Sequence, residues 1–470
     1  MYATNDKIID KITARYLRDR LDFCFSKSSL AYRGRREGDT KAVTHHDALF
    51  GILNFRKAHS TLFVAEADFR NFMDSISHDV ARKSLHELIR QGKIHRPGLE
   101  IDPRAIRIYD AYLASYSFKR QVLGQGLATL RKKDSLATFP WPADILREMH
   151  GEDDDLTRIG IPQGGAISCL ITNIILNDVD QAVEEIQRMR KAEMLYQRYC
   201  DDMSILSPDK ATCQLAMAAY QKVAWRKKLP MHEPQEVYFQ DGVTDSKPDY
   251  WNMKSKLTCL WSDDARSGIP WIQFVGYQIR YDGQVRIRSK TLEKNRQKMT
   301  DLTNKLLGVI NPQQKCKGGV PVYAPGLRMS RDKILHAFEM KLISMAVGRR
   351  KFGQPAPTCG DDIMPMCWAH GYKPLWDVPF NSARLKELDR HRDRQLRRLH
   401  CRLKHLPAPD RPAQDAGGSK KPARYYGAPF SYHCQFVRSP ERPGECKDKR
   451  LWLRVIEFIQ RLRAALQSRF

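Results

Sequence analysis

The chain has 470 residues, with 80 Lys plus Arg against 54 Asp plus Glu and a formal charge of +26. Its 42% hydrophobic content suits a packed protein of two or three domains and excludes wholesale disorder. No apolar run approaches the ~18 residues needed to cross a bilayer, the opening Met1-Tyr2-Ala3-Thr4-Asn5-Asp6 lacks the layout of a secretory signal, and the 11 cysteines include no Cys-x-x-Cys pair. Cys359, Cys367 and His370 fit no common zinc spacing, so reduced thiols in the cytoplasm are expected. A cationic excess of this size draws a polyanion, with nucleic acid the first candidate. Charge alone does not separate nucleic acid from anionic lipid; the motifs decide.

In chain order, residues 8–25 read as a helix, and a turn-prone basic stretch follows, with Arg33, Arg35 and Arg36 around Gly34 and Gly38. From 61 to about 281, short apolar strands at 61–67, 195–200, 203–206 and 272–279 alternate with helical patterns, which predicts an α/β unit. Its clearest helix spans about 166–190, where Ile167, Leu170, Ile171, Ile174, Ile175 and Val179 mark one face. Beyond about 286 strand signals fade. Leu292, Met299, Leu302 and Leu306 line one helix; Ile334, Phe338 and Leu342 line another after a Ser330 cap; Leu451, Val455, Phe458, Ile459, Leu462 and Leu466 line a last one. Stretches at 311–326 and 406–429 read as loops or linkers. The expected organisation is an N-terminal segment (1–60), an α/β unit (61–285) and a basic helical unit (286–470).

In Arg198-Tyr199-Cys200-Asp201-Asp202-Met203-Ser204-Ile205-Leu206 two β-prone runs flank a pair of aspartates, which predicts a hairpin with carboxylates at its tip. Adjacent like charges repel, and the pair makes sense where a divalent cation sits between carboxylates and a phosphate. Asp153-Asp154, Asp263-Asp264 and Asp361-Asp362 lack strands on both sides and read as solvated loops. The 61–67 strand ends at Asp68, which shares a face with Leu62, Val64 and Glu66. The bland reading of Asp68 is a cap on the following turn. Between these acids, Gly160-Ile161-Pro162-Gln163-Gly164-Gly165-Ala166-Ile167-Ser168 opens the long helix. Its glycines permit close backbone approach, and a helix N-terminus with free N–H groups suits an anionic or nucleotide partner.

The order strand-Asp, Pro-Gln-Gly-Gly-helix, Tyr-Cys-Asp-Asp hairpin resembles that of reverse transcriptases. Asp68 in Ala-Asp-Phe-Arg-Asn-Phe matches the first palm motif of that family, Gln163-Gly164-Gly165 the second, and Tyr199-Cys200-Asp201-Asp202 the third. Phe274-Val275-Gly276-Tyr277 is similar to its primer-grip hairpin. The resemblance covers roughly 33–288 and is greatest to single-chain bacterial enzymes of the retron, group II intron and defence-associated, abortive-infection types. It implies an α/β (α+β) right-hand polymerase, with fingers and an antiparallel palm sheet followed by an α-helical thumb and C-terminal extension. The implied activity is RNA-directed DNA polymerisation, a nucleotidyl transfer that makes cDNA from dNTPs on a partner non-coding RNA, in bacterial antiviral defence.

The same resemblance implies the site. Asp68, Asp201 and Asp202, with the Phe69 carbonyl, would bind two Mg²⁺ ions, with Mn²⁺ as a substitute; one lowers the pKa of the primer 3′-hydroxyl and the other holds the triphosphate. Phe69 would also offer a stacking surface, Gln163 and Gly164 would meet the incoming nucleotide or the template, and Tyr199 and Gly276 would lie against nucleic acid. Arg33 and Arg36 are candidates to grip the triphosphate, with plain phosphate-backbone contact the alternative. Met73 stands where the family usually places Phe or Tyr against a ribose 2′-hydroxyl, so deoxynucleotide preference has weaker local support. Lys254 and Lys256 are candidates for the lysine that protonates the leaving group, or are solvent-facing lysines.

Residues 384–404 carry nine Lys or Arg and three Asp or Glu, with Arg390, Arg394, Arg397 and Arg398 at helical spacing. Such a stripe suits the phosphates and 2′-hydroxyls of an A-like duplex or structured RNA, or is a solvated face. Tyr425, Tyr426, Phe430 and Tyr432 could stack on bases or fill a core. The expected partners are an RNA template, a DNA product and dNTPs, without a membrane; a homo-oligomer is compatible. The alternatives are a template-independent or protein-primed polymerase on the same palm, and a non-catalytic, maturase-like RNA-binding protein. No P-loop motif occurs, Gly124-Gln125-Gly126 lacks a third glycine in register, and His45-His46 reads as structural.

Overall fold

A computed structural model describes residues 4–34, 43–115, 118–119, 148–150, 158–234, 253–263, 271–310, 331–347, 373–375, 378–381, 383–404 and 430. Arg35, Arg36, Ser330, Cys359, Cys367, His370, Tyr425, Tyr426, Tyr432 and the expected helix at 451–466 lie outside these residues, as do both expected linkers. Two compact units divide the chain, Met1–Gln284 and Val285–Phe470.

The first unit is built on a four-stranded antiparallel sheet of β1 (Thr61–Ala67), β4 (Leu195–Tyr199), β5 (Asp202–Ser207) and β6 (Lys256–Ser262), in the order β4-β5-β1-β6. The first strand of the chain therefore runs through the middle, with a hairpin on one side and a later strand on the other. Before β1 come α1 (Thr4–Leu21) and α2 (His45–Lys57). After it come α3 (Phe72–Ser75), α4 (His78–His95) and α5 (Pro103–Ala114), then the short pair β2 (Phe118–Lys119) and β3 (Arg158–Ile159). The long α6 (Ala166–Arg190) precedes β4, and α7 (Lys210–Arg226) follows β5.

Local chemistry sets the helix starts. The Ser77 side chain accepts from Val80 N–H ahead of α4, Asp102 caps α5 with Pro103 at its first position, and Asp209 accepts from Ala211 and Thr212 N–H ahead of α7. The 25-residue α6 contains no Gly or Pro, and Ile167, Leu170, Ile171, Ile174, Ile175 and Val179 are all buried. It packs on α1, α4 and α7, while α7 lies against β1, β5 and β6. The core thus sits between the sheet and a helical layer.

A second antiparallel pair, β7 (Trp271–Phe274) and β8 (Tyr277–Arg280), forms a hairpin with Val275 and Gly276 as its turn. Apolar patterning reads 272–279 as one run, whereas the family resemblance puts a hairpin at 274–277; the chain turns there, with Val275 (φ +44°) and Gly276 (φ +85°) both left-handed. Positive φ at both central residues is the type I′ signature, which matches the twist of a two-residue hairpin.

The second unit contains β9 (Val285–Ile287), α8 (Ser289–Ile310), α9 (Arg331–Val347) and α10 (Ala383–Lys404). Both α8 and α9 pack on α10, and Leu292, Met299, Ile334, Phe338 and Leu342 are buried as their spacing predicts. Phe430 is buried in this unit, its N–H donating to Asp389 at 2.9 Å, so it fills a core. Among the described residues no helix is long and apolar enough to cross a membrane.

Candidate active site

The sheet register brings the acids together. β1 and β5 pair with Ala67 opposite Met203; one step further, Asp68 leaves β1 at the level where Asp202 begins β5. Residues opposed on an antiparallel pair share a face, with Cβ atoms roughly 4.5–5.5 Å apart. β4 and β5 close with Tyr199 opposite Asp202, which leaves Cys200 and Asp201 as a two-residue turn. Cys200 sits at φ +63°, a left-handed conformation that costs a non-glycine residue roughly 1–2 kcal/mol. Asp201 is half-buried and Asp202 exposed.

Arg198 holds this turn from below. Its guanidinium and the Asp180 carboxylate are both fully buried, joined by Nε–Oδ1 and Nη2–Oδ2 contacts of 2.7 and 2.6 Å. Nη1 donates to the Cys200 carbonyl at 2.8 Å and Nη2 to Ser29 Oγ at 2.9 Å. Burial works against the Arg198 charge, but Asp180 outweighs it and holds the pKa above its ordinary value. The Arg198 backbone also pairs with the N-terminal segment, through Ser28 O and Leu30 N–H. Burial, reinforced by Asp201, pushes the Cys200 thiol up to about 12, so it remains neutral beside the acids.

Asp68 is clamped through its backbone. Its N–H donates to Ser255 Oγ at 3.0 Å, and its carbonyl accepts from His232 N–H at 3.0 Å. Its carboxylate accepts from Lys254 Nζ at 2.5 Å. Two residues upstream on β1, Glu66 forms a buried ion pair with Lys256 and accepts the Gln273 N–H at 2.9 Å, fastening the β7–β8 hairpin to the strand that ends at Asp68. Lys256 is therefore a structural cation, and Lys254 alone of the two expected lysines reaches the acids.

Hard carboxylate oxygens on adjacent strand ends fit a divalent cation such as Mg²⁺ in ligand type and backbone placement. Among the described residues, however, no three His, Cys, Asp or Glu side chains are gathered into a ready-made metal cluster; the Asp68 carboxylate is turned onto Lys254.

Several expected residues take other roles. Arg33, expected to grip the triphosphate, has all five of its N–H donors consumed within the chain. It binds the Asp22 carboxylate and carbonyl and the Ser26 and Ser29 carbonyls, and its side chain is only 4% exposed. The N-terminus of α6, expected to offer free N–H groups, is already capped: Ala166 and Ile167 donate to Asp10 at 2.8 Å each. A carboxylate there repels a phosphate. The Phe69 ring, expected as a stacking surface, is buried against Phe72 and Tyr220 with centroids 5.1 and 5.9 Å away; its apolar area is worth more inside.

Gln163 and Gly164 are exposed at the α6 turn, where Gly164 takes φ +88°. Gly165 is needed for space, because a Cβ there would lie 1.8 Å from the Tyr112 hydroxyl. Met73 is half-buried on α3, its Sδ 4.0 Å from Thr172 Oγ1 on α6. Tyr199 meets His45 edge-on at 6.2 Å, and His45 stacks on Tyr277 at 6.2 Å beside Gly276, so one aromatic group links both hairpins. His45-His46 is structural in this sense, with His46 Nε2 3.1 Å from the Tyr277 hydroxyl.

Solved structures similar to this chain include telomerases. The telomerase of Candida albicans, in complex with a fragment of telomeric RNA, is 14% identical with a TM-score of 0.33, covering 84% of this chain and 53% of its own. The apo telomerase of Candida tropicalis is 9% identical with a TM-score of 0.35, covering 85% and 54%. The chain spans about half the length of these proteins. No protein-family profile matches it, and no curated protein does. Function is therefore argued from the chain's own residues.

Three residues around Asp68 escape the motif reading. His232 is brought in by a backbone hydrogen bond from a distant segment; burial lowers its pKa, opposed by Asp68. Arg70 makes no side-chain hydrogen bond among the described residues and buries its Nε. Tyr220 lies beneath the sheet on α7, wholly buried. Arg70 follows Asp68 closely enough for sequence to suggest it, whereas His232 and Tyr220 carry no local signal.

In the second unit, Arg390, Arg394, Arg397 and Arg398 are all exposed on α10. The first three line a groove of about 630 Å³ together with Arg296, Glu387 and Asp393.

Proposed function

We propose that the chain is an RNA-directed DNA polymerase of the reverse-transcriptase kind, with Asp68, Asp201 and Asp202 as its catalytic acids. The observation that carries this reading is the register that sets Asp68 level with Asp202, beside a turn occupied by Asp201. When bound, two Mg²⁺ ions would supply an activated primer 3′-hydroxyl and a clamp on the triphosphate. The protein's part is placement: Arg198 fixes the turn, Ser255 and His232 fix the Asp68 backbone, and the Glu66–Lys256 pair ties the β7–β8 hairpin to the same strand. The proton for the leaving group is assigned to Lys254, which pairs with Asp68.

The exposed arginines of α10 and the net charge of +26 support an RNA partner. The Tyr199-Cys200-Asp201-Asp202 form, with the basic helical end, supports a setting in bacterial phage defence, templated by a non-coding RNA. The Lys254–Asp68 pair is the observation that favours a second reading, an RNA-binding protein that uses the palm as a scaffold.

Primer extension separates them. Purified protein given a primed RNA template, Mg²⁺ and dNTPs should yield DNA complementary to the template, and Asp201→Ala with Asp202→Ala should abolish it. No product, or product unrelated to the template, contradicts the reading. The same assay with ATP in place of dATP reads the selectivity set near Met73; equal rates would remove the deoxynucleotide preference.

A further inference from the structure

Arg70 has a fixed backbone and an unengaged side chain. Its N–H donates to the Pro230 carbonyl at 2.8 Å, and its own carbonyl accepts from Ser75 Oγ at 2.9 Å. Its guanidinium makes no hydrogen bond or ion pair among the described residues, and Nε is buried without a partner. Arg33 and Arg198, by contrast, direct theirs to protein acceptors. A guanidinium nitrogen withdrawn from water and left unpaired costs free energy, and a plain solvated arginine would keep that nitrogen hydrated. The arrangement needs an acceptor that the described chain does not supply.

The backbone sets where that side chain is placed. Phe69 bridges Met231 on an antiparallel segment, and the flanking bonds, Arg70 N–H to Pro230 O and His232 N–H to Asp68 O, keep residues 68–70 extended. Successive side chains of an extended segment alternate, so Asp68 and Arg70 share the side opposite Phe69. The Phe69 ring marks the other side, where it packs on Tyr220 of α7. Asp68 and Arg70 therefore both face away from the helical layer, about 6.5 Å apart along the chain. His232, opposite Asp68, lies on that side too. Burial lowers the His232 pKa; Asp68 opposes this, and the charges of Lys254 and Arg70 add to it, which agrees with a guanidinium near the same ring. Lys254 already answers the Asp68 carboxylate, so Arg70 is a surplus cation on this side of the sheet.

Resting on the polymerase reading, we propose that Arg70 binds the triphosphate of the incoming nucleotide, its guanidinium donating to phosphate oxygens on the side of the sheet that carries Asp68. This is the role that the basic cluster at 33–36 suggests for Arg33, whose donors are taken by Asp22, Ser26 and Ser29. A guanidinium offers paired donors to two phosphate oxygens, whereas an ammonium acts as a point charge. Because the Arg70 backbone is already held at both ends, little backbone freedom is lost when the anion arrives. A primer or template phosphodiester has similar oxygens, but the triphosphate is the group that a metal on Asp68 would hold, which places it nearest Arg70.

The test compares the full chain as wild type, Arg70→Gln and Arg70→Lys. It measures the Kd of dTTP with Mg²⁺ on a dideoxy-terminated primer annealed to RNA, where no chemistry occurs, the KM for dTTP in extension of a normal primer, the Kd of the primed template without nucleotide, and Tm. Arg70→Gln should raise both the Kd and the KM of dTTP roughly tenfold or more, with Tm and primed-template affinity as in wild type. Arg70→Lys should recover part of the loss. Wild-type dTTP affinity in Arg70→Gln overturns the proposal, and a loss confined to the primed template overturns it in favour of a nucleic-acid phosphate. A fall in Tm that Arg70→Lys does not rescue makes Arg70 a structural residue and overturns it too. If wild type extends no primer, the polymerase reading fails and the proposal falls with it; extension by wild type, with an unchanged dTTP KM in Arg70→Gln, rejects Arg70 alone.

Discussion

At the scale of single residues, Arg198 carries the most. It is fully buried, saturated by Asp180, Asn173, Ser29 and the Cys200 carbonyl, and it fixes a left-handed residue at the turn of the acid hairpin. Removing one partner of such a pair leaves an uncompensated buried charge, whereas replacing both with apolar side chains is much less damaging. Arg198→Met should therefore cost about 3–5 kcal/mol in urea unfolding, and Arg198→Met with Asp180→Leu should recover most of that loss. A loss below about 1 kcal/mol for the single variant would show that the pair does not hold the turn. The two aspartates that Arg198 supports were legible in the sequence, because a hairpin tip is a local feature flanked by β-prone runs. Arg33 misled for the complementary reason. Its cage of Asp22, Ser26 and Ser29 is close in sequence, but a basic cluster gives no sign of whether its charge is spent inside. Asp10, which caps α6 from 156 residues away, was invisible altogether.

Among elements, legibility followed periodicity. β1 and α6 have the limits their patterns predict, since one is a continuous apolar run and the other a six-residue apolar stripe without Gly or Pro. β6 was not legible. It opens on Lys256 and ends on Ser262, both buried, and the first only because Glu66 on the neighbouring strand neutralises it. A polar residue at a buried strand position breaks the alternation by which a strand is recognised. α10 carries both signals. Leu385, Leu388, Leu399 and Leu403 are buried on one face, while Arg390, Arg394, Arg397 and Arg398 are exposed. Arg392, amid the basic run, is 3% exposed and paired with Asp393, so only part of the run is available to an anion. Neutralising the four exposed arginines to Gln should leave helicity and Tm unchanged while weakening RNA binding. The dependence of log K on log salt should flatten by roughly 0.7–0.9 for each phosphate that an arginine no longer neutralises. An unchanged slope would return the stripe to the role of a solvated surface.

For the whole molecule, the charge of +26 becomes intelligible once its parts are separated. Cations in the first unit such as Arg33, Arg198 and Lys256 are neutralised internally, and Arg390, Arg394, Arg397 and Arg398 of α10 are left to solvent. The first unit thus reads as a scaffold for a concentrated group of acids, and the second as a carrier of positive charge. The most direct test of this account is anomalous diffraction from crystals grown with Mn²⁺, a primed RNA template and a non-hydrolysable dNTP. The account predicts two Mn²⁺ peaks between Asp68, Asp201 and Asp202, at carboxylate distances of about 2.0–2.3 Å, with Lys254 released from Asp68. Absence of metal there, with Lys254 still bound to Asp68 in the nucleotide complex, would contradict it.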